Sequence, residues 1–170
     1  MAGFHESREM MLTQKRLREL LDYDPVTGWF TWRVNKNDHA SKGKRAGQVH
    51  PLYGYRCVCL DGRHYRMARL AFLWMTGEWP KPEADHKNCV RADDRWDNLR
   101  SANRQQNLAN SKPRGQSGLK GVTWTKGKYQ AAIRVNCRTI YLGRFDDPQS
   151  AHAAYVAAAS KHFGQFAREA

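Results

Sequence analysis

The sequence has few cysteines and no long apolar run. Its four cysteines, Cys57, Cys59, Cys89 and Cys137, form no C-x-x-C pair, which argues against a zinc knuckle. Cys57 and Cys59 would share one face of a strand, where we expect them buried, and we expect reduced thiols in a cytoplasmic protein. No segment is apolar over the length that a membrane span requires, and the opening MAGFHESREMM lacks the apolar run of a signal peptide. We therefore expect no membrane partner.

Acidic residues are missing from the whole stretch between Asn98 and Phe145, which contains ten lysines and arginines. Over the full chain, 29 basic and 16 acidic residues give a formal net charge of +13. A chain this basic is expected to bind a polyanion, and nucleic acid is the usual one. A solvated surface is the alternative for a run of charge, but here aromatic residues interleave with the cations, as they do in proteins that stack on bases. Phosphate contacts carry no information about the sugar, so RNA stays open as a ligand.

A set of polar residues suited to cleaving phosphodiesters begins just before that stretch. Asp85 and His86 are adjacent, and Asn98 and Asn107 follow 12 and 21 residues after the histidine. Carboxylate and carboxamide oxygens are hard ligands of the kind that Mg²⁺ accepts. Histidine is the side chain that titrates near neutral pH, so an imidazole here can take a proton from an attacking water. Each residue alone has an ordinary structural explanation, whereas their combination favours catalysis.

The segment from Leu70 to Asn110, LAFLWMTGEWPKPEADHKNCVRADDRWDNLRSANRQQNLAN, resembles the HNH endonucleases. It is most similar to the homing endonucleases encoded by phages and introns, whose core is a ββα-metal motif. The resemblance implies that Asp85 and Asn107 bind one Mg²⁺ or Mn²⁺ ion. It also implies that His86 is the general base and that Asn98 braces the loop and orients His86. Ala68 stands where many relatives have a histidine, so an auxiliary histidine near the DNA is missing.

Sequence patterns predict an α+β protein with a disordered lead at 1–11, a nuclease domain at 12–110, a linker at 111–118 and a second domain at 119–170. A first helix is expected from a Thr13 cap to about Asp22, and a second from Arg66 to Gly77. Ser101 is expected to cap the helix that carries Asn107, with Asn107 facing Asp85.

The last fifty residues predict three antiparallel strands, GVTWT, KYQAAIRV and RTIYLGRF, and a helix capped by Asp147. The pieces GVTW, AAIRV, YLGRFDD and SAHAAYVAAASKHFGQFA resemble the AP2 DNA-binding domain, which reads DNA with one face of its sheet. The dipeptide Asn136-Cys137 stands where relatives often have Asn-Gly, so a wider or strained turn is expected. The expected DNA contacts in the whole chain are Arg134, Tyr141, Lys128, Gln130, Lys126, Trp124, Arg138, Arg100 and Arg104.

Together these features predict a site-specific, metal-dependent DNA endonuclease of the HNH type acting on double-stranded DNA. The alternatives are a non-catalytic DNA-binding protein with a decayed nuclease core and a protein that binds or cleaves RNA. We expect a monomer, with a dimer as the alternative, in the cytoplasm of a phage-infected bacterial host. The target sequence, and the choice between nicking and double-strand cleavage, stay open.

Overall fold

The computed structural model describes residues 12–35, 41–113 and 117–168. The chain divides into two compact units, Met1–Ala102 and Asn103–Ala170. The described residues form four α-helices and ten short strands, all in antiparallel pairs, so the predicted mixture of helices and antiparallel strands is confirmed. The expected disordered lead lies outside the described residues, and the expected domain boundaries stay predictions. No helix within the described ranges is both long enough and apolar enough to cross a membrane.

In its described residues, 12–35 and 41–102, the first unit contains two α-helices and three small sheets. Helix α1 spans Gln14–Leu20, α2 spans Met67–Thr76, and strands β1 to β7 span Leu21–Asp24, Trp29–Trp32, Gln48–Val49, Arg56–Leu60, Arg63–Arg66, Glu83–His86 and Leu99–Ala102. The sheets are β1–β2, β3–β4–β5 and β6–β7. Thr13 caps α1 as predicted, accepting a hydrogen bond from the Arg16 amide at 3.2 Å. The helix ends at Leu20 rather than near Asp22 because the following residues pair with β2.

One apolar core holds these elements together. Its most deeply buried side chains come from both helices and from the strands, and they are Phe30, Leu17, Leu20, Leu21, Leu60, Met67 and Leu70. The two-residue turn Asp61-Gly62 joins β4 and β5, and both residues have positive φ angles of 47° and 79°. Gly77 ends α2 in the left-handed conformation that the sequence predicts.

The expectation that Cys57 and Cys59 are buried is wrong. The two thiols do share one face of β4, but that face is the outer one, so Cys57 is half-buried and Cys59 is exposed. Arg56, Val58 and Leu60 occupy the inner face instead. Strand alternation fixes which residues share a face but not which face meets the core.

The second unit begins with a short helix. Helix α3 spans Arg104–Asn110 and is followed by strands β8, β9 and β10 at Val122–Thr125, Lys128–Val135 and Arg138–Phe145, and by α4 at Pro148–Phe163. The predicted Ser101 cap is wrong, because Ser101 lies in β7 opposite Ala84. Asn103 caps α3 instead, in a reciprocal capping box with Gln106.

Lys120 ties the end of α3 to the chain that enters β8. Its Nζ donates to the carbonyl oxygens of Leu108, Ala109 and Ser111, with distances of 2.9 Å to the first and 2.8 Å to the last. These carbonyls lie at the helix C-terminus, where a cation is favourable.

The three-stranded sheet and α4 form the rest of the second unit, as predicted. The strand order is β10–β9–β8, and Asp147 caps α4 with Pro148 in its first turn. The buried positions are mostly small, and Gly121 at φ 75° lies so close to Tyr155 that a Cβ atom there would fall 1.9 Å from the ring. The Asn136-Cys137 turn is tight rather than wide. Val135 pairs directly with Arg138, and both turn residues have positive φ angles.

Candidate active site

The β6–β7 hairpin brings the two adjacent residues of the sequence motif to a buried position. Asp85 pairs in register with Arg100 and His86 with Leu99. Only 4 % of Asp85 and 5 % of His86 is exposed. Polar groups buried this deeply require partners, since an unsatisfied one costs free energy.

Asp85 has its partner on the opposite strand. The Nε of Arg100 donates to Asp85 Oδ2 at 2.8 Å, and 12 % of the arginine side chain is exposed. Arg100 is one of the DNA contacts expected from the sequence. In the structure its guanidinium forms a buried, charge-assisted hydrogen bond to the motif aspartate.

His86 contacts a second carboxylate that the sequence reasoning missed. Its Nε2 lies 3.0 Å from Asp94 Oδ1, and Asp94 is 1 % exposed. The other oxygen, Asp94 Oδ2, lies 3.5 Å from Nη1 of the buried Arg56. The Arg56 guanidinium in turn stacks 3.7 Å from the centroid of Trp29. A row of three ionisable groups therefore runs from β6 through the loop to β4.

Asn98 braces the loop between β6 and β7 with both ends of its carboxamide. Its Oδ1 accepts from the Asn88 amide at 3.0 Å, and its Nδ2 donates to the Asp93 carbonyl at 2.7 Å. The Lys87 amide donates to the Asn98 carbonyl at 2.9 Å. These contacts fix the loop that carries Asp94, whereas the bond to the His86 ring comes from Asp94 itself.

The Asp94 loop is also held from the first hairpin of the chain. Tyr23 donates its hydroxyl to the Asp94 carbonyl at 2.7 Å, and burial raises the pKa of that phenol, so it stays a neutral donor. The Trp96 amide donates to the Pro25 carbonyl at 3.0 Å. Gly28 approaches so closely that a Cβ atom would fall 2.4 Å from the Asp94 carbonyl carbon.

An aromatic and basic rim lies beside His86. The Tyr55 ring centroid is 6.1 Å from that of His86. The guanidinium groups of Arg66 and Arg91 lie 4.4 and 5.0 Å from the Tyr55 centroid. Both arginines are exposed, so they can contact phosphates near the histidine. Nothing in their local sequence distinguishes them from other surface cations.

Asn107, the second expected metal ligand, lies on α3 in the second unit. Its amide donates to the Asn103 carbonyl at 2.9 Å, as in a regular helix, and its side chain is half-buried. Arg104, another expected DNA contact, is exposed in the first turn of the same helix.

The outer face of the β8–β10 sheet holds several of the expected DNA contacts. Lys128, Gln130 and Arg134 alternate along β9 with the inward-facing Ala131 and Ile133. Tyr141 pairs with Ala132 and therefore lies on this outer face, 57 % exposed.

Two expected DNA contacts lie on the inner face of that sheet, because each pairs directly with an inward-facing residue of β9. Trp124 pairs with Tyr129, and the two rings meet edge to face with centroids 4.5 Å apart, although Trp124 is 57 % exposed. Arg138 pairs with Val135 and is also exposed. The structure does not bring them together with Arg134 on one face. Lys126 lies in the β8–β9 turn and is exposed.

Residues 65–109 match the family model of the HNH endonuclease. The matched segment includes Asp85, His86, Asn98 and Asn107, and it supports a nuclease whose substrate is DNA. No curated protein matches the chain.

HNH nucleases generally use a divalent metal ion, and the chemistry of the donors present suits a hard one. The described residues contain no cluster of three or more His, Cys, Asp or Glu side chains that could hold a metal. Mg²⁺ needs no such cluster, because one or two protein oxygens with waters and substrate phosphates suffice. The carboxylate of Asp85 and the carboxamide of Asn107 are oxygen donors of this kind.

Proposed function

We propose that the protein is a site-specific DNA endonuclease of the HNH type that hydrolyses phosphodiester bonds with His86 as general base. The observation that carries the proposal is the buried, hydrogen-bonded His86 next to Asp85 within the segment that matches the HNH family. A histidine whose ring is held by a hydrogen bond before substrate arrives is positioned to accept a proton, whereas an unrestrained histidine would lose conformational entropy during the reaction.

Asp85 is the residue of the first unit that would hold one divalent cation, Mg²⁺ or Mn²⁺, and Asn107 stays the second ligand that the family resemblance implies. When bound, such an ion polarises the scissile phosphate and stabilises the leaving 3′ oxygen. The buried bond from Arg100 orients the Asp85 carboxylate. Arg66 and Arg91, which contact the Tyr55 ring that neighbours His86, would bind the flanking phosphates.

Recognition of the target is proposed to reside in the AP2-like sheet of the second unit. On its outer face Arg134 and Tyr141 are exposed and Gln130 is half-buried. A face that reads base edges must be accessible in this way. We further propose a homing-type enzyme that acts as a monomer, which makes nicking the natural product.

The test is cleavage of supercoiled plasmid by the full-length protein in Mg²⁺ or Mn²⁺, with EDTA as the metal-free control. His86→Ala should lower the cleavage rate by about 10²–10⁴-fold with little change in DNA affinity. His64→Ala is the matched control, since His64 is an exposed histidine on β5. DNA binding without cleavage in either metal would show a non-catalytic DNA-binding protein. Cleavage of RNA but not of DNA would show a ribonuclease.

A further inference from the structure

We propose that Asp94 is a positioning residue for His86 and that it makes Nδ1 the ring nitrogen that accepts the proton of the attacking water. The chemical half of this inference rests on the proposed function. Its structural half, the tautomer of His86, can be measured without any cleavage.

The contact between the two side chains is short and dry. His86 Nε2 and Asp94 Oδ1 are 3.0 Å apart, and the side chains are 5 % and 1 % exposed. A hydrogen bond in such a low-dielectric environment is stronger than one in water, and it holds the plane of the ring as well as its position.

The direction of the hydrogen bond follows from the other neighbour of Asp94. Arg56 Nη1, itself in a side chain 9 % exposed, lies 3.5 Å from Asp94 Oδ2, and the two side chains form a buried pair of guanidinium and carboxylate. A carboxylate only accepts hydrogen bonds, and Nε2 must therefore carry the hydrogen. In the neutral imidazole the accepting lone pair is then on Nδ1.

The reaction step is balanced with that assignment. The attacking water gives a proton to Nδ1 as its oxygen forms a bond to phosphorus. The bond from phosphorus to the 3′ oxygen breaks, and that oxygen takes a proton from solvent. Asp94 stays a carboxylate throughout and stabilises the imidazolium that forms.

Three residues that hold Asp94 lie outside the HNH-like segment at 65–109, whereas Asn98, which braces the same loop, lies within it. Tyr23 binds its carbonyl, Gly28 packs against its backbone, and Arg56 joins its carboxylate to the Gly28 carbonyl at 3.3 Å. The first hairpin and β4 therefore set the orientation of the proposed base. Because these three residues lie outside 65–109, the family match does not cover their contacts with Asp94.

The experiment uses Asp94→Asn in the full-length protein, and the structure predicts the orientation of the new carboxamide. Arg56 donates toward the Oδ2 position, so the amide oxygen should turn to Arg56 and the amide nitrogen to His86. The amide would then donate to Nε2 and drive the ring into the Nδ1–H tautomer. Asp97→Asn is the matched control, because it removes the same charge from an exposed residue in the same loop.

Two readouts are combined. Nitrogen-15 NMR of the histidine rings, at alkaline pH where the rings are neutral, reports the tautomer in the wild type and in each variant. Cleavage and DNA affinity are measured in parallel. We expect an Nε2–H tautomer in the wild type and an Nδ1–H tautomer in Asp94→Asn. Cleavage in that variant should fall by about 10²–10⁴-fold at unchanged affinity, while Asp97→Asn matches the wild type.

The outcomes separate the two proposals. An Nδ1–H tautomer in the wild type overturns the positioning role, and this measurement needs no variant to fold. Cleavage by a folded Asp94→Asn within about twofold of the wild type also overturns it, provided His86→Ala is inactive. A wild type that has the Nε2–H tautomer but cuts no DNA refutes the proposed function and leaves the Asp94–His86 pairing intact.

Discussion

The surroundings of His86 and the outer face of the β8–β10 sheet are built in opposite ways. His86, Asp94 and Asp85 are each at most 5 % exposed, and each has a charged or hydrogen-bonded partner. Tyr141 is 57 % exposed, and Arg134 on the same face is exposed as well. Groups that carry out chemistry profit from being fixed before substrate arrives, whereas groups that read a polymer must be accessible to it.

The charges of the two units follow the same division. The first unit contains eighteen lysines and arginines against thirteen acidic residues, and the second contains eleven against three. In the first unit several arginines pair internally, as Arg56 does with Asp94 and Arg100 with Asp85. The second unit has more lysines and arginines than acidic residues, and this excess positive charge attracts a phosphate backbone.

The largest effect that would sharpen this contrast is expected from Arg56→Ala. The variant leaves the Asp94 carboxylate buried without its cation, which should cost about 3–5 kcal/mol in the free energy of unfolding. Arg45→Ala is the control, since Arg45 stacks on the same Trp29 ring at 4.0 Å but is exposed. That control should cost at most about 1 kcal/mol. Chemical denaturation measures both, and equal losses would show that the Trp29 stacking rather than the ion pair matters.

A second prediction concerns the independence of the two units. Gly121→Ala combines positive φ with a clash against Tyr155 and should destabilise the second unit by about 3 kcal/mol. Gly127→Ala has a similar φ of 74° and nothing within 4 Å of the added Cβ, so it should cost about 1 kcal/mol. Calorimetry and the His86 NMR signal report the two units separately. A His86 signal that disappears at the same temperature as the second unit would mean that the units unfold together.

The third prediction tests whether the outer face of the β8–β10 sheet contacts DNA bases. Arg134→Ala should weaken binding to the target site by about 1–3 kcal/mol and weaken binding to random DNA less. Lys128→Ala is the comparison, because Lys128 already pairs with Asp146 at 2.9 Å and should contribute mainly to phosphate attraction. Titrations at several salt concentrations measure both. Equal losses on the two DNAs would assign Arg134 to the phosphate backbone.

The smallest effect is a pH dependence in the loop beside His86. Hydrogen bonds from Arg95, above all, and from Asn88 lower the pKa of Asp93 to about 2. Because the folded-state pKa is depressed, this stabilisation is complete above the ordinary value near 3.8 and is lost as the pH falls toward 2. Arg95 is 54 % exposed, so solvent screening limits the contribution to about 1 kcal/mol. Asp93→Asn should flatten the fall in unfolding free energy between about pH 4 and about pH 2; an unchanged slope would show that Asp93 does not cause this fall.

Local signals in the sequence predicted local structure well. Asp147 caps α4 and Gly77 ends α2 as predicted, because each of these signals depends on neighbouring positions only. The Ser101 cap and the buried thiols were wrong because both depend on strand pairing. Ser101 is held in β7 by β6, and the core selects the Arg56 face of β4 rather than the cysteine face.

The candidate site was predictable only in part for the same reason. The spacing of Asp85, His86, Asn98 and Asn107 predicts a shared site, and the structure places Asp85 and His86 on β6, Asn98 just before β7 and Asn107 on α3. The partner of His86 could not be read from the sequence, because Asp93 and Asp94 are adjacent acids in one loop. The choice between them is made by Arg56, which is 38 residues away in the chain. Whether Asn107 completes a metal site stays a prediction.

The Lys120 ammonium group donates to the Ser111 carbonyl at 2.8 Å, and this contact closes the chain between the two residues into a ring. The cost of closing such a ring grows by only about 0.6 kcal/mol for each doubling of its length. Residues could therefore be added between Ser111 and Lys120 without releasing α3 from the second unit. This segment is accordingly a natural place to graft a tag or a further binding module.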